Sequence, residues 1–343
     1  MTKHNTVMPA EWEEHEATWL SWPKNRSTFP ERIIEKVENT FTQIVKALSE
    51  HEKVKILVDN AQEEERVNNI LEQASVKKNV EFKRIVSSDV WIRDYGPTFV
   101  RNTSGKIKAI KWTYNAYGDK YDDLKYDDKT GEEVVQNSGK EIIRPGIILE
   151  GGSIEVNGKG TLITTEQCLL NKNRNSQLTR EQIEDKLKDL LGVRHIIWLG
   201  EGVVGDDTDG HIDDIARFVD ERTVVCAYEE NKNDENYEAL KADYEKLCES
   251  ADQDGNKLNV LKLPMPKAVL TDQGERLPAS YANFLIANKV VLLPVFDDPN
   301  DKKAIEIMQR AMPHRKIIPI DCRYLVWGYG TIHCSSQQEP KGK

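Results

Sequence analysis

A mixed α/β fold, with hairpins set between helix-then-strand units, is the class this sequence predicts. Three observations carry it. Amphipathic segments with helical spacing recur along the chain, a short apolar strand follows each of them, and turn dipeptides of the hairpin type interrupt the alternation.

Taken in order, Ile33, Val37, Phe41, Ile44, Val45 and Leu48 recur at helical spacing, so residues 33–48 are expected as a helix and residues 54–58 as the strand after it. The next pair is a helix over 63–73 and a strand over 80–86. Two hairpins follow: 98–101 with 107–112 around Ser104-Gly105, and 154–156 with 160–164 around Asn157-Gly158. Ser-Gly and Asn-Gly supply the positive φ angles of tight turns. Residues 119–138 are polar and charge-rich and are expected as a surface loop or flap. Thr179 and Gln182 have the spacing of a capping box, opening a helix with Ile183, Leu187, Leu190 and Leu191 on one side. Gly192 ends it before a strand over 195–199. The same grammar places a helix over 237–248 before a strand over 258–263, and a helix over 302–312 before a strand over 316–320.

Hairpins among helices argue against a purely parallel, doubly wound sheet, and the recurring grammar permits a cyclic pseudo-repeat. The chain has 343 residues, a length that accommodates one large core or two. No linker divides it cleanly. The polar end, residues 337–343, is expected to lack regular structure.

A hydrophobic fraction of 38% and a charged fraction of 31% describe a globular chain. No run approaches a membrane span, and residues 1–14 lack the pattern of a secretory signal, so a cytoplasmic location is expected with no membrane partner. The formal net charge of -10 argues against nucleic acid and favours a cationic small molecule. Five cysteines, at 168, 226, 248, 322 and 334, show no Cys-x-x-Cys spacing, which suggests neither a disulfide framework nor a thiolate zinc site.

The chemistry concentrates in a few segments. Cys334 closes the glycine-rich run Gly328-Tyr329-Gly330-Thr331-Ile332-His333-Cys334, where backbone N–H groups are open to a ligand. Cys168, Cys226 and Cys248 sit in apolar or helical patterns and read as core. Cys322, at a strand end, is the second choice of nucleophile after Cys334. A free cysteine, with a pKa near ~8.5, needs a nearby cation to react as a thiolate. Protonated His211 or a cationic substrate would supply it. His211 and Asp213 lie two apart, so on a strand they would share one face, the imidazole moving protons and the carboxylate holding charge. Asp94 follows the run 89–93, expected as a strand end, and Gly96-Pro97 would fix its direction. Glu150 ends an apolar run and meets Gly151-Gly152, where a ligand can approach backbone closely. Taken singly, each carboxylate also reads as structural: a buried Arg93 to Asp94 pair, or Glu150 capping a turn. Together, a thiol, an imidazole and carboxylates form the set needed to attack the central carbon of a guanidinium, whose planar fork of N–H donors carboxylates match. The acidic stretch 206–210 fails the calcium-loop pattern, with Gly205 and Ala216 at its ligand positions, so no metal is expected.

These residues, with Met8-Pro9-Ala10-Glu11-Trp12, His15, Thr18-Trp19-Leu20-Ser21-Trp22-Pro23, Trp91 to Pro97, Leu149-Glu150-Gly151-Gly152, Asp206 to Asp213, and Ile332-His333-Cys334 before Gln337-Gln338, resemble the agmatine deiminases of the peptidylarginine-deiminase-like guanidine-modifying superfamily. The resemblance runs nearly end to end. It implies a single-domain, pentein-like α/β propeller of five pseudo-symmetric blades, residues 1–338 with a polar tail at 339–343. It also implies a homodimer and no cofactor. By resemblance Cys334 is the nucleophile, His211 the acid and base, and Glu150, Asp94 and Asp213 the guanidinium-binding carboxylates. Asp207 matches a position tied to agmatine recognition, and Trp91 would pack beside the substrate. Tyr329 departs from the glycine common in related sequences, and its ring could narrow the entrance. The implied activity is hydrolysis of agmatine to N-carbamoylputrescine and ammonia. Deimination of arginine or peptidyl-arginine, amidine transfer, and polyamine binding without turnover are the alternatives.

Overall fold

One short motif, used five times, builds the computed structural model, which describes residues 4–76 and 78–343; Met1 to Lys3 and Lys77 of the expected domain lie outside them. In each use, two antiparallel strands are followed by a helix and by a third strand that returns parallel to the second. Strand Thr98–Asn102 pairs with Ile107–Ile110, helix Asp127–Asn137 crosses over, and Glu141–Ile143 lies parallel to the second strand. The second unit is Glu155–Val156, Thr161–Thr165, helix Arg180–Leu191 and His195–Leu199. The third is Ala216–Phe218, Thr223–Tyr228, helix Tyr237–Glu249 and Asn259–Pro264. The fourth is Leu285–Ile286, Val290–Val295, helix Asn300–Ala311 and Lys316–Asp321.

The fifth unit joins the two ends of the chain. C-terminal Ser336–Pro340 pairs antiparallel with His15–Ser21, with Ser336 opposite Leu20, and helix Glu31–Ser49 leads to the parallel strand Lys53–Val58. A further helix, Ala61–Gln73, adds Val80–Arg84 at the edge. Closing the last unit with a strand from each terminus is how a ring of blades avoids open ends. The fold is the five-bladed α/β propeller.

Local sequence explains the units. Thr179 accepts from the backbone of Gln182, whose side chain accepts from the backbone of Thr179, so the expected capping box forms, and Gly192 ends that helix in the left-handed conformation. Helix Glu31–Ser49 buries Val37, Phe41, Ile44, Val45 and Leu48 in one cluster with Val54 and Ile56 of its own sheet and Val291 to Leu293 of the neighbouring unit. That shared cluster ties blade to blade.

Two expectations need correction. The segment 119–138 is not a loop throughout, because Asp127–Asn137 is helical and buries Thr130, Val134 and Val135. Its pattern is hard to read because Gly131 sits where helices disfavour it. A Cβ there would lie 2.0 Å from the Tyr95 carbonyl oxygen, so close packing explains the glycine. The expected tail from residue 339 begins inside a strand. Glu339 is buried against Lys55 at 2.7 Å, Lys140 at 3.1 Å and the Trp19 indole N–H at 2.8 Å. Polar residues here are paired, not free. Among the described residues no helix is long and apolar enough to cross a membrane.

Candidate active site

The segment just before the first strand of each unit points to one place. Asp94 precedes Thr98–Asn102, Glu150 and Gly152 precede Glu155–Val156, His211 and Asp213 precede Ala216–Phe218, Asn283 precedes Leu285–Ile286, and Cys334 precedes Ser336–Pro340. None of these residues lies on a regular strand, contrary to expectation. Asp94 is in the single helical turn Ile92–Tyr95, and His211 caps the short turn Ile212–Asp214. Tight turns bring the same side chains together that a shared strand face was expected to align.

Gly152 shows how closely they meet. A Cβ on it would stand 2.5 Å from His211 Nδ1, 2.9 Å from Asp94 Oδ1 and 3.1 Å from Asp213 Oδ2. Its backbone N–H donates to Asp94 Oδ1 at 2.9 Å, while the Tyr117 hydroxyl donates to Asp94 Oδ2 at 2.9 Å. His211 Nδ1 lies 3.7 Å from Asp94 Oδ1. The structural reading of an Arg93 to Asp94 pair does not hold, since Arg93 instead donates to the His333 carbonyl at 3.2 Å and to Gln338 Oε1 at 2.6 Å. Glu150 receives Arg174 Nε at 2.7 Å on one oxygen, and its other oxygen has no hydrogen-bond partner.

Around the thiol, Cys334 Sγ lies 3.5 Å from Asp213 Oδ2 and accepts from Asn283 Nδ2 at 3.0 Å. Asp213 Oδ2 also meets His333 Nδ1 at 2.7 Å, and its Oδ1 is buried without a partner. Beyond His333 the contacts continue to Glu11 Oε2 at 2.9 Å and from Glu11 to Arg217 at 2.6 Å.

Charge follows from this geometry. Burial, then the negative charges of Asp213, Asp214 and Asp94, pushes the Cys334 thiol well above its usual range. Burial lifts Asp94 to about 6, with Asp213 adding and His211 opposing. For His211, burial favours the neutral ring, but Asp94, Cys168 and Glu150 outweigh it and hold the imidazolium to well above the ordinary value. Burial likewise works against the Asp213 charge, yet His333, His211 and Arg217 keep it ionised below the usual carboxylate range.

A cavity of about 320 Å³ opens onto these groups, lined by Asp94 and Cys334 together with Trp91, Tyr117, Tyr121, Asp207 and Tyr329. The Trp91 ring lies against Gly328 and Gly330, where a Cβ would come within 2.5 Å and 2.8 Å of it. Tyr121 donates to Asp207, which burial lifts to about 7, with Asp206 adding to the rise. His211, Glu150 and Asp213 are fully buried.

Each carboxylate of the acidic stretch 206–210 has its own partner. Asp206 accepts from the backbone of Thr208, Gly210 and His211, and Asp209 takes Lys120 and Arg174. Among the described residues two groups of ligand-type atoms lie within 4.8 Å of one another, Glu150 with Cys168 and His211, and Asp213 with Asp214 and Cys334. Both fall inside the site described.

Sequence reasoning passed over Asn283, Arg174, Tyr117, Tyr121, Glu11 and a role for His333 beside its cysteine. A polar residue two positions before a buried apolar strand, as at Asn283, was the available signal. Cys168, read as core, is buried, but it stands beside the imidazole.

Residues 7–340 match the family described as Porphyromonas-type peptidyl-arginine deiminase. The agmatine deiminase of Ectopseudomonas mendocina is 36% identical, over 97% of this chain and 95% of its own. A solved agmatine deiminase of Enterococcus faecalis superposes with a TM-score of 0.92 at 35% identity, covering 98% of this chain and 96% of its own. An agmatine deiminase of C. jejuni, solved with substrate bound and a cysteine replaced by serine, gives 0.88 at 34%, covering 98% and 97%.

Proposed function

The chain belongs to the Porphyromonas-type peptidyl-arginine deiminase family, and from that membership and the geometry of its site we propose that it hydrolyses agmatine to N-carbamoylputrescine and ammonia. The observation that carries the reading is Asp213, a buried carboxylate with one oxygen 3.5 Å from the Cys334 sulfur and the other without a donor. A buried acceptor left open is costly, and a guanidinium fork supplies the donors it lacks.

Bound between Asp94 and Asp213, the guanidinium offsets the negative charges that keep the thiol protonated, so substrate binding favours release of its proton. The Cys334 thiolate adds to the central carbon, a step made easier by holding the reactants in place. His211, carrying a proton, gives it to the departing nitrogen, the C–N bond breaks, and ammonia leaves an S-alkylthiouronium. Neutral His211 then takes a proton from water, the hydroxide adds to the same carbon, the C–S bond breaks to return the thiolate, and the new ureido group gives its remaining hydroxyl proton to solvent. Glu150, anchored by Arg174, keeps negative charge beside the imidazole, and no step calls for a cofactor.

The substrate tail runs along Trp91 toward Asp207, which receives the ammonium of agmatine. Arginine would bring a carboxylate toward Asp123, Asp207 and Glu275, all on the cavity wall, and like charges there disfavour it. The same reading includes a homodimer in the cytoplasm, checked by light scattering and cell fractionation. The direct test measures ammonia and ureido product from agmatine, L-arginine and an arginine-containing peptide, with Cys334→Ser as control. Turnover of agmatine alone, lost in the variant, supports the reading. Turnover of arginine or peptide instead overturns the substrate, and no turnover of any leaves a binding protein.

A further inference from the structure

We propose that Arg174 is a positioning residue that sets substrate selectivity: its buried guanidinium ties Glu150, beside the imidazole of His211, to the loop that presents Asp207 to the far end of the substrate. This deepens the reading of Asp207 as the receptor of the agmatine ammonium and rests on it.

Arg174 follows the short helical turn Glu166–Leu169 of the second blade, and its side chain is fully buried. Nε donates to Glu150 Oε1 at 2.7 Å, Nη1 to Asp209 Oδ2 at 2.8 Å and to Asn173 Oδ1 at 2.7 Å, and Nη2 to the Thr208 carbonyl at 3.0 Å. Four N–H groups of one rigid fork are thus engaged. A lysine ammonium, a point charge on a flexible stem, does not reproduce that set.

The loop it holds joins recognition to chemistry. Thr208 and Asp209 lie between Asp207, on the cavity wall, and Gly210-His211, whose backbone N–H groups each donate to Asp206 at 2.9 Å. Asp209 has a left-handed backbone, φ 69°, a conformation that persists where the surroundings hold it. The other anchors are nearer the surface: the Tyr121 hydroxyl on the Asp207 carboxylate, and exposed Lys120 on the Asp207 carbonyl and on Asp209 Oδ1. Arg174 is buried, so solvent does not replace the donors it gives to Glu150 and the Thr208 carbonyl. A displaced Asp207 weakens the hold on an ammonium and leaves an uncharged tail indifferent, while Asp94 and Asp213 still receive the guanidinium.

The test compares ammonia release from agmatine and from n-pentylguanidine, which carries a methyl group in place of the ammonium, in wild type, Arg174→Lys, Asp207→Asn and the double variant. Arg174→Lys keeps a cation for Glu150 and gives up the fork that reaches Thr208 and Asp209. The ratio of kcat/KM for agmatine over n-pentylguanidine is expected to fall about 10-fold or more in Arg174→Lys, chiefly through KM for agmatine. In the double variant it falls no further than in Asp207→Asn alone, because both changes act on one contact. A merely structural role would lower turnover of both guanidines together and leave the ratio at its wild-type value. That outcome overturns the proposal, as does an additive loss in the double variant. Asp209→Asn removes the charge on the loop's side of the pair, at a part-exposed position, so the same ratio decides the question there if Arg174→Lys fails to fold. Failure of the underlying reading would look different: Asp207→Asn would itself leave the ratio unchanged, and the proposal would fall with it.

Discussion

His333 lies 2.7 Å from Asp213 through Nδ1 and 2.9 Å from Glu11 through Nε2, so one ring connects the carboxylate beside the nucleophile to a buried acid from the N-terminal segment. Arg217 anchors the far end by pairing with both Glu11 and Glu155. Asp213 is therefore held from behind, leaving its Oδ1 free for substrate.

Replacing His333 removes that support. His333→Ala is expected to lower kcat/KM for agmatine about 100-fold and to destabilise the fold by about 3 kcal/mol, because Asp213 and Glu11 each lose a buried partner. Steady-state kinetics and urea unfolding measure the two effects. A variant with normal kcat/KM would show that Asp213 needs no backing.

Gly152→Ala tests how tightly the site is assembled. The added methyl would collide with His211 and crowd Asp94 and Asp213. The expected result is a loss of kcat/KM of about 100-fold or more, since small misplacements of catalytic groups are that costly. Circular dichroism should show the fold retained. Near-normal turnover would mean that His211 can shift without penalty.

Asp94 must be ionised to receive the guanidinium, and burial lifts it to about 6, so kcat/KM should fall on the acid side with a midpoint near pH 6. Stability should run the other way. Burial also lifts Asp89 to about 6 and Asp127, Asp207 and Asp243 to about 7. These groups ionise near 3.8 when unfolded, so between about pH 4 and 7 the folded state binds more protons and loses stability as pH rises. His15 and His211, both raised, add stability that is full below 6.5 and lost as pH climbs through their folded values. The depressed Glu11, Glu52 and Asp213 lose their contribution only at more acid pH. The thermal midpoint of the substrate-free protein should therefore fall from pH 5 to pH 8. A midpoint that rises over that range would contradict the account.

Much of this was legible in the sequence because local rules and tertiary structure agree. The helix after Thr179 needed only its capping box and its leucine spacing, and the hairpins at Ser104-Gly105 and Asn157-Gly158 needed only their turn residues. Cys334, Asp94 and Asp213 were visible because glycines or short motifs mark them. Other features depend on distant pairing. Glu339 looks like a polar end until Lys55 and Lys140, far off in sequence, neutralise it. Asn283 lies between ordinary alanine and phenylalanine, and only the ring of blades places it against the sulfur. Helix Asp127–Asn137 hid behind a glycine selected for contact with Tyr95, where tertiary packing overrides helix propensity.

Tyr329 holds a left-handed backbone, φ 68°, on the cavity wall. Tyr329→Gly should relieve about 1 kcal/mol of backbone strain and widen the opening. The ratio of kcat/KM for L-arginine over agmatine is expected to rise several-fold, checked by competing the two substrates. An unchanged ratio would assign selectivity to the carboxylates Asp123, Asp207 and Glu275.

The most direct test of the central claim is mass spectrometry of the Cys334 peptide after acid quench at several times during agmatine turnover, repeated with Cys334→Ser. The account predicts a mass increase equal to agmatine less ammonia, confined to Cys334 and absent in Cys334→Ser. Turnover with no adduct on Cys334 at any quench time, or an adduct on another cysteine, would contradict it.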